Sequence, residues 1–132
     1  MSILFADSFY FIALLNPDDA AHRKAGAFSL HRCSLMTTEW VLVELADAFG
    51  STRYRAAAAK LIAALVSDPN VEVRRSERSL FDRGLDLYAG RADKEWSLTD
   101  CISFEVMREE GLTEALTADH HFEQAGFKPL LK

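Results

Sequence analysis

Residues 3–15 read ILFADSFYFIALL. Ile3 to Ala6 is a short apolar run of strand character that stops at Asp7-Ser8, a pair suited to capping a helix, and Phe9 to Leu15 then predicts a short helix. Working outward, Asn16-Pro17 starts another helix, with Asn16 as its cap and Pro17 in its first position, running to about Phe28. Ser34 to Met36 is a second strand, and Thr37 or Thr38 caps a helix that Gly50 ends. Thr52 to Val66 is Ala-rich and helical, Asp68-Pro69-Asn70 is a turn, and Val71-Glu72-Val73 alternates as a strand. Leu80 to Tyr88 is helical and closed by Gly90. Ser97 or Thr99 opens a helix that ends before Gly111. Ala115 to Ala118 is a fourth strand, a short helix runs from His120 to Gly126, and Pro129-Leu130-Leu131 forms a final edge strand.

Short strands alternating with longer helices predict βαβ units and an α/β fold whose parallel sheet is covered on both faces. In such sheets the functional crevice lies beyond the carboxyl ends of the strands. Asp7 and Asp119, each directly after a predicted strand, are therefore expected to project into it.

The 132 residues are 49% hydrophobic and 27% charged, which predicts one domain over residues 1–132 with a substantial core. Lys+Arg is 15 against 20 Asp+Glu, a formal net charge of -5. So acidic a chain is no general nucleic-acid coat; binding RNA or DNA would require a local basic strip or bridging metal ions. No apolar run reaches the roughly 18 residues of a membrane span. The start lacks a basic region and a small-residue cleavage site, so no signal peptide is read. Cys33 and Cys101 stand far apart without a CxxC, which fits a reducing cytoplasm rather than a disulfide scaffold or a Cys-based zinc site. There is no Walker A loop, GxGxxG or Gly-x-Ser-x-Gly elbow, and Asp7-Ser8-Phe9 lacks the second Asp of a haloacid-dehalogenase-like phosphatase.

Four acids are oddly placed: Asp7 in LFADS, Glu44 in WVLVELA, Asp100 in WSLTDCISF and Asp119 in LTADHHF. The helical neighbours of Glu44 are Trp40, Val41, Asp47 and Ala48, none a cation, so no local salt bridge compensates it. Each acid also has an ordinary reading. Glu44 could stand at the solvent edge of its helix above Asp47, Asp100 could serve the helix macrodipole, and Asp7 and Asp119 could be N-caps. All four are nevertheless what one acidic pocket at the same end of the sheet would need. Two carboxylates about 5 Å apart at an effective dielectric of about 20 repel by roughly 3 kcal/mol. A four-acid pocket must therefore hold protons, a buried cation or a metal ion. Oxygen ligands without His or Cys favour Mg²⁺ or Mn²⁺, and such ions suit phosphodiester hydrolysis.

LFADS with Asp7, TTEWVLVEL with Glu44, DKEWSLTDCISF with Asp100 and LTADHHFEQAGF with Asp119 together resemble the PIN-domain ribonucleases, the toxins of VapBC-type toxin–antitoxin pairs. The resemblance spans nearly the whole chain, and W-S-L-T-D-C and T-A-D-x-H-F are its more specific elements. It implies a Rossmann-like three-layer α/β/α sandwich and a Mg²⁺- or Mn²⁺-dependent endoribonuclease. It also implies an RNA substrate, a homodimer, and a cognate antitoxin whose basic tail enters the acidic groove. By matching positions, Asp7 and Asp100 would be the principal metal ligands. Glu44 would complete the shell directly or through water, and Asp119 would be an outer ligand or hold a second ion. Ser8 and Thr99 would be hydrogen-bonding supports or helix caps, and Asp93 is read as a solvated loop acid.

His120-His121 are read as a solvated helix start, lacking a partner at HExxH spacing. Trp40 and Trp96 are read as packing residues, with the cleft edge a second place open to Trp96, while Arg53, Arg55 and Lys60, with Arg74, Arg75 and Arg78, are read as surface cations. Two other functions stay open at this level: a non-catalytic module holding a basic peptide in the same groove, and a DNA nuclease of the same fold.

Overall fold

β1 (Ile3–Ala6) is the middle strand of a five-stranded sheet, flanked by β2 (Ser34–Thr38) and β4 (Glu114–Leu116). β3 (Val71–Arg74) lies outside β2, and β5 (Lys128–Pro129) outside β4, giving the order β3-β2-β1-β4-β5. Every pairing is parallel. The computed structural model describes residues 2–28 and 33–132.

Between β1 and β2 lie α1 (Ser8–Leu15) and α2 (His22–Gly26), and between β2 and β3 lie α3 (Glu39–Ala48) and α4 (Arg55–Ser67). α5 (Arg78–Gly90) and α6 (Leu98–Glu110) cross back over the sheet from β3 to β4, and α7 (His120–Gln124) joins β4 to β5. Right-handed crossovers put α1 to α4 on one face and α5 to α7 on the other, so the sheet is the middle layer of the expected α/β/α sandwich. The chain moves outward from β1 to β3, then returns to the other side of β1. The strand order therefore switches direction between β1 and β4, which is where a doubly wound sheet opens a crevice.

The core explains why the strands read as continuous apolar runs. Phe5, Leu35, Ala115 and Leu116 are almost fully buried on a sheet covered from both sides. On the α6–α7 side, the Phe104 ring meets Phe122 edge-on at 4.9 Å between centroids and Trp96 at 5.1 Å. α5 lies so close to α6 that a Cβ on Gly84 would stand 2.3 Å from Ile102 Cγ1, so only glycine fits there. Gly111 ends α6 at φ 68, a left-handed position that glycine accepts readily.

Three expected elements differ. The helix expected from Pro17 to Phe28 is confined to His22–Gly26. The Asn16 side chain accepts the Asp18 N–H at 3.0 Å, and Asp19 accepts that of Ala21 at 2.8 Å. These local bonds compete with the helical pattern and give successive turns. The strand expected over Ala115–Ala118 ends at Leu116, where the Thr117 N–H turns back to the Ala115 carbonyl at 3.1 Å. Asp119 therefore does not follow a strand directly but stands beyond a two-residue step. The last strand, expected over Pro129-Leu130-Leu131, starts one residue earlier and ends two earlier, at Lys128–Pro129.

Candidate metal centre

The four expected acids meet at the switch point. Asp7, Glu44, Asp100 and Asp119 line one cleft of about 330 Å³, together with Ser8, Glu95, Ser97 and His121. Each arrives from a different element: Asp7 at the end of β1, Glu44 from α3, Asp100 from the first turn of α6 and Asp119 from the step before α7.

Asp7 occupies the N-cap position of α1, yet its side chain makes no capping bond, so the ordinary reading of this residue fails. Its Oδ2 instead accepts the Thr117 hydroxyl at 3.0 Å, with Asp7 only 4% exposed. Burial, with the nearby charges of Asp100 and Glu44, pushes its carboxyl up to about 7 against the Thr117 bond. The metal-free site thus keeps Asp7 substantially protonated near neutrality.

Asp100 both serves its helix and faces the cleft. Ser97 caps α6 by accepting the Asp100 N–H at 3.0 Å, while Asp100 Oδ2 accepts the Ser97 N–H at 3.2 Å, a reciprocal capping box. Burial raises the Asp100 carboxyl, opposed by bonds from His121 and Ser97. Glu44 is half-buried and accepts the Ser8 hydroxyl, with burial again the largest cause of its raised pKa. Asp119 caps α7 through the His121 N–H at 2.9 Å, so its ordinary reading holds alongside its place in the cleft.

Ser8 donates its hydroxyl to Glu44, one of the four acids. Thr99 gives no such bond: among the described residues its side chain has no hydrogen bond, and Ser97, at the cap, contacts Asp100 instead. Asp93 is exposed and paired with Arg91 through two contacts of 3.0 Å, leaving Glu95 as the loop acid on the cleft wall. Arg74 is held by Glu109 and Glu110 at 3.0 and 2.8 Å. Trp96 is buried, its indole N–H donating to Gln124 at 2.9 Å.

Sequence reasoning missed two residues. His121 was read as solvated, but it is 17% exposed and its Nδ1 lies 3.0 Å from Asp100 Oδ2 and 3.5 Å from Asp119 Oδ1. Asp119, His120 and His121 also offer ligand atoms within 4.8 Å of one another. The available signal was the Asp119 cap itself, which folds the next turn back onto the acids. The other is Thr117, wholly buried, whose hydroxyl holds Asp7 and accepts the Asp119 N–H at 3.1 Å.

The donor set fits a hard divalent cation. Four carboxylates converge, two of them buried, and the described residues supply no Lys or Arg to neutralise them within the cleft lining. Oxygen-rich sites of this kind suit hard divalent cations such as Mg²⁺ or Mn²⁺, and His121 stands against them through its Nδ1, 3.0 Å from Asp100 Oδ2.

No protein-family model matches the chain. It is 29% identical over 126 residues to the 23S rRNA-specific endonuclease VapC20 of Mycobacterium tuberculosis, covering 95% of each chain. The crystal structure of M. tuberculosis VapC20, described as a sarcin-ricin loop cleaving toxin, superposes with a TM-score of 0.85 at 30% identity over 96% of both chains. VapBC2 from Rickettsia felis, bound to a promoter DNA fragment, shares the fold at a TM-score of 0.67 and 10% identity, covering 97% of each chain. FitAcB from Neisseria gonorrhoeae does so at 0.61 and 14%, covering 97% of this chain and 95% of its own.

Proposed function

This chain belongs to the VapC family of PIN-domain toxins, and on that premise we propose that the acidic cleft hydrolyses RNA phosphodiester bonds with the help of Mg²⁺ or Mn²⁺. Its relative VapC20 is named a 23S rRNA-specific endonuclease and a sarcin-ricin loop cleaving toxin, which supports RNA as the substrate. The observation that carries the metal-dependent reading is the meeting of Asp7, Glu44, Asp100 and Asp119 in one cleft, two of them buried without a cation.

In this reading Asp7 and Asp100 are the principal ligands, with Glu44 and Asp119 completing the site and residues 1–132 acting as one nuclease unit. The bound cation would supply positive charge to the scissile phosphate and lower the pKa of water nearby. The chain's own residues hold the geometry. Thr117 fixes one oxygen of Asp7, leaving the other to face the cleft. His121 Nδ1 and the Ser97 N–H hold Asp100 Oδ2 from two sides, at 3.0 and 3.2 Å. The Ser8 hydroxyl fixes one oxygen of Glu44 and leaves the other to orient the attacking water. In-line attack opposite the 3′ oxygen breaks the P–O3′ bond, leaving a 5′-phosphate and a 3′-hydroxyl. An antitoxin tail bearing a cation would occupy the same acids and block them, and a homodimer is the assembly we expect.

The test is incubation of the purified chain with ribosomal RNA and with DNA, in Mg²⁺ or Mn²⁺ and in excess chelator. RNA cleavage with 5′-phosphate ends that needs the metal is expected. Undiminished cleavage in chelator would overturn the metal-dependent mechanism, and equal cutting of DNA would overturn the substrate class.

A further inference from the structure

The loop between α5 and α6 builds a second, larger cavity beside the acidic cleft. It has about 770 Å³ and is lined by Tyr88, Arg91, Lys94 and Trp96, and it shares Glu95 and Ser97 with the cleft. The two hollows thus adjoin at Glu95 and Ser97, and the larger one forms a trough with a different lining. That lining offers cations and aromatic rings, the combination on which single-stranded nucleic acid is held by backbone charge and base stacking. A chain of net charge -5 needs such a local basic element to hold a polyanion.

The residues divide by what already occupies them. Arg91 is bound to Asp93 at 3.0 Å through two atoms and lies 5.0 Å over the Trp96 ring, which is buried beneath it. These two form the floor. Tyr88 is 50% exposed, an aromatic ring on an open wall. Among the described residues its hydroxyl has no hydrogen-bond partner and Lys94 has no ion pair, so both are available to a ligand.

We propose that this trough holds the nucleotide next to the scissile phosphate, with Tyr88 stacking on its base and Lys94 contacting its phosphate; the proposal rests on the RNA-cleaving reading of the acidic cleft. The cavity is larger than a phosphate alone requires, and it adjoins the acidic cleft at Glu95 and Ser97.

The experiment is fluorescence anisotropy with a short labelled single-stranded RNA, titrated into the full chain carrying Asp7→Asn to prevent cutting. Tyr88→Ala is expected to weaken binding roughly tenfold, while Tyr88→Phe, which keeps the ring, binds like its parent. Lys94→Ala should reduce the slope of log affinity against log salt by about 0.7, with Lys94→Arg restoring it. Unchanged affinity in Tyr88→Ala, or an unchanged slope in Lys94→Ala, overturns the proposal. Unchanged RNA affinity together with weakened binding of a co-expressed antitoxin assigns the trough to that protein and also overturns it. Cleavage by the unsubstituted chain, measured in parallel, tests the underlying reading separately, because its absence leaves the anisotropy comparison intact.

Discussion

The hydroxyl of Thr117 donates to Asp7 Oδ2 at 3.0 Å across 110 positions of sequence. The bond ties the carboxyl ends of two neighbouring parallel strands at the point where the sheet reverses its winding, and it selects which oxygen of Asp7 remains for a ligand. Thr117→Val keeps the shape and removes that donor. We expect metal affinity to fall about 10- to 100-fold, as for other lost partners of ligating groups, with stability lowered by only about 1 kcal/mol. Calorimetric titration with Mn²⁺ beside a thermal melt measures both; unchanged Mn²⁺ affinity would make the Thr117 bond purely structural.

Asp7→Asn and Asp100→Asn should each abolish RNA cleavage without loss of fold, by circular dichroism and end-labelled RNA assays. The two differ in cost to the fold. Asp100→Asn weakens the capping box of α6, whereas Asp7→Asn removes a buried acid that caps nothing, so the metal-free Asp7→Asn chain should melt higher than the parent. Full cleavage by both variants would remove the assigned roles.

The pH dependence follows from Asp7, whose carboxyl moves from 3.8 to about 7 on folding. Below about pH 4 the group is protonated in both states and contributes nothing. As pH rises towards 7 the unfolded chain releases its proton while the folded chain retains it, so stability falls, by an amount on the order of 4 kcal/mol at most. The metal-free protein should lose melting temperature across this window, Asp7→Asn should flatten the loss, and saturating Mg²⁺ or Mn²⁺ should reverse it. A melting profile insensitive to the substitution would place Asp7 outside a crowded pocket.

His121 contacts Asp100 and Asp119 from one ring nitrogen. His121→Ala should leave the fold intact, since the residue sits near a surface cleft, yet weaken Mn²⁺ binding about tenfold or more. His120 is 64% exposed and reaches only Asp119, at 3.6 Å, so His120→Ala should weaken ion binding distinctly less than His121→Ala. Equal effects of the two would remove the distinction drawn between them.

These residues mark what could be read before any coordinates. The alternation of short strands and helices carried the architecture because a sheet buried on both faces needs uninterrupted apolar runs, and β1 with Asp7 was plain from residues 3–15. Glu44 was legible as an acid without a helical partner, but Ser8, 36 positions away, was not visible as its partner. Thr117 and His121 escaped for the same reason, because their contacts form only when β1, β4 and α6 come together. The overlong helix after Pro17 failed on local chemistry. Asn16 and Asp19 turned their side chains onto the backbone, and a capping residue reads the same whether it starts a helix or a turn.

Gly84 has a reach beyond its own helix. It lets α5 rest directly against Ile102 of α6, two positions from Asp100. A single added methyl there would act as a wedge, pushing on the end of the helix that carries Asp100. Catalytic loss in this protein can therefore originate at a residue that never meets the substrate.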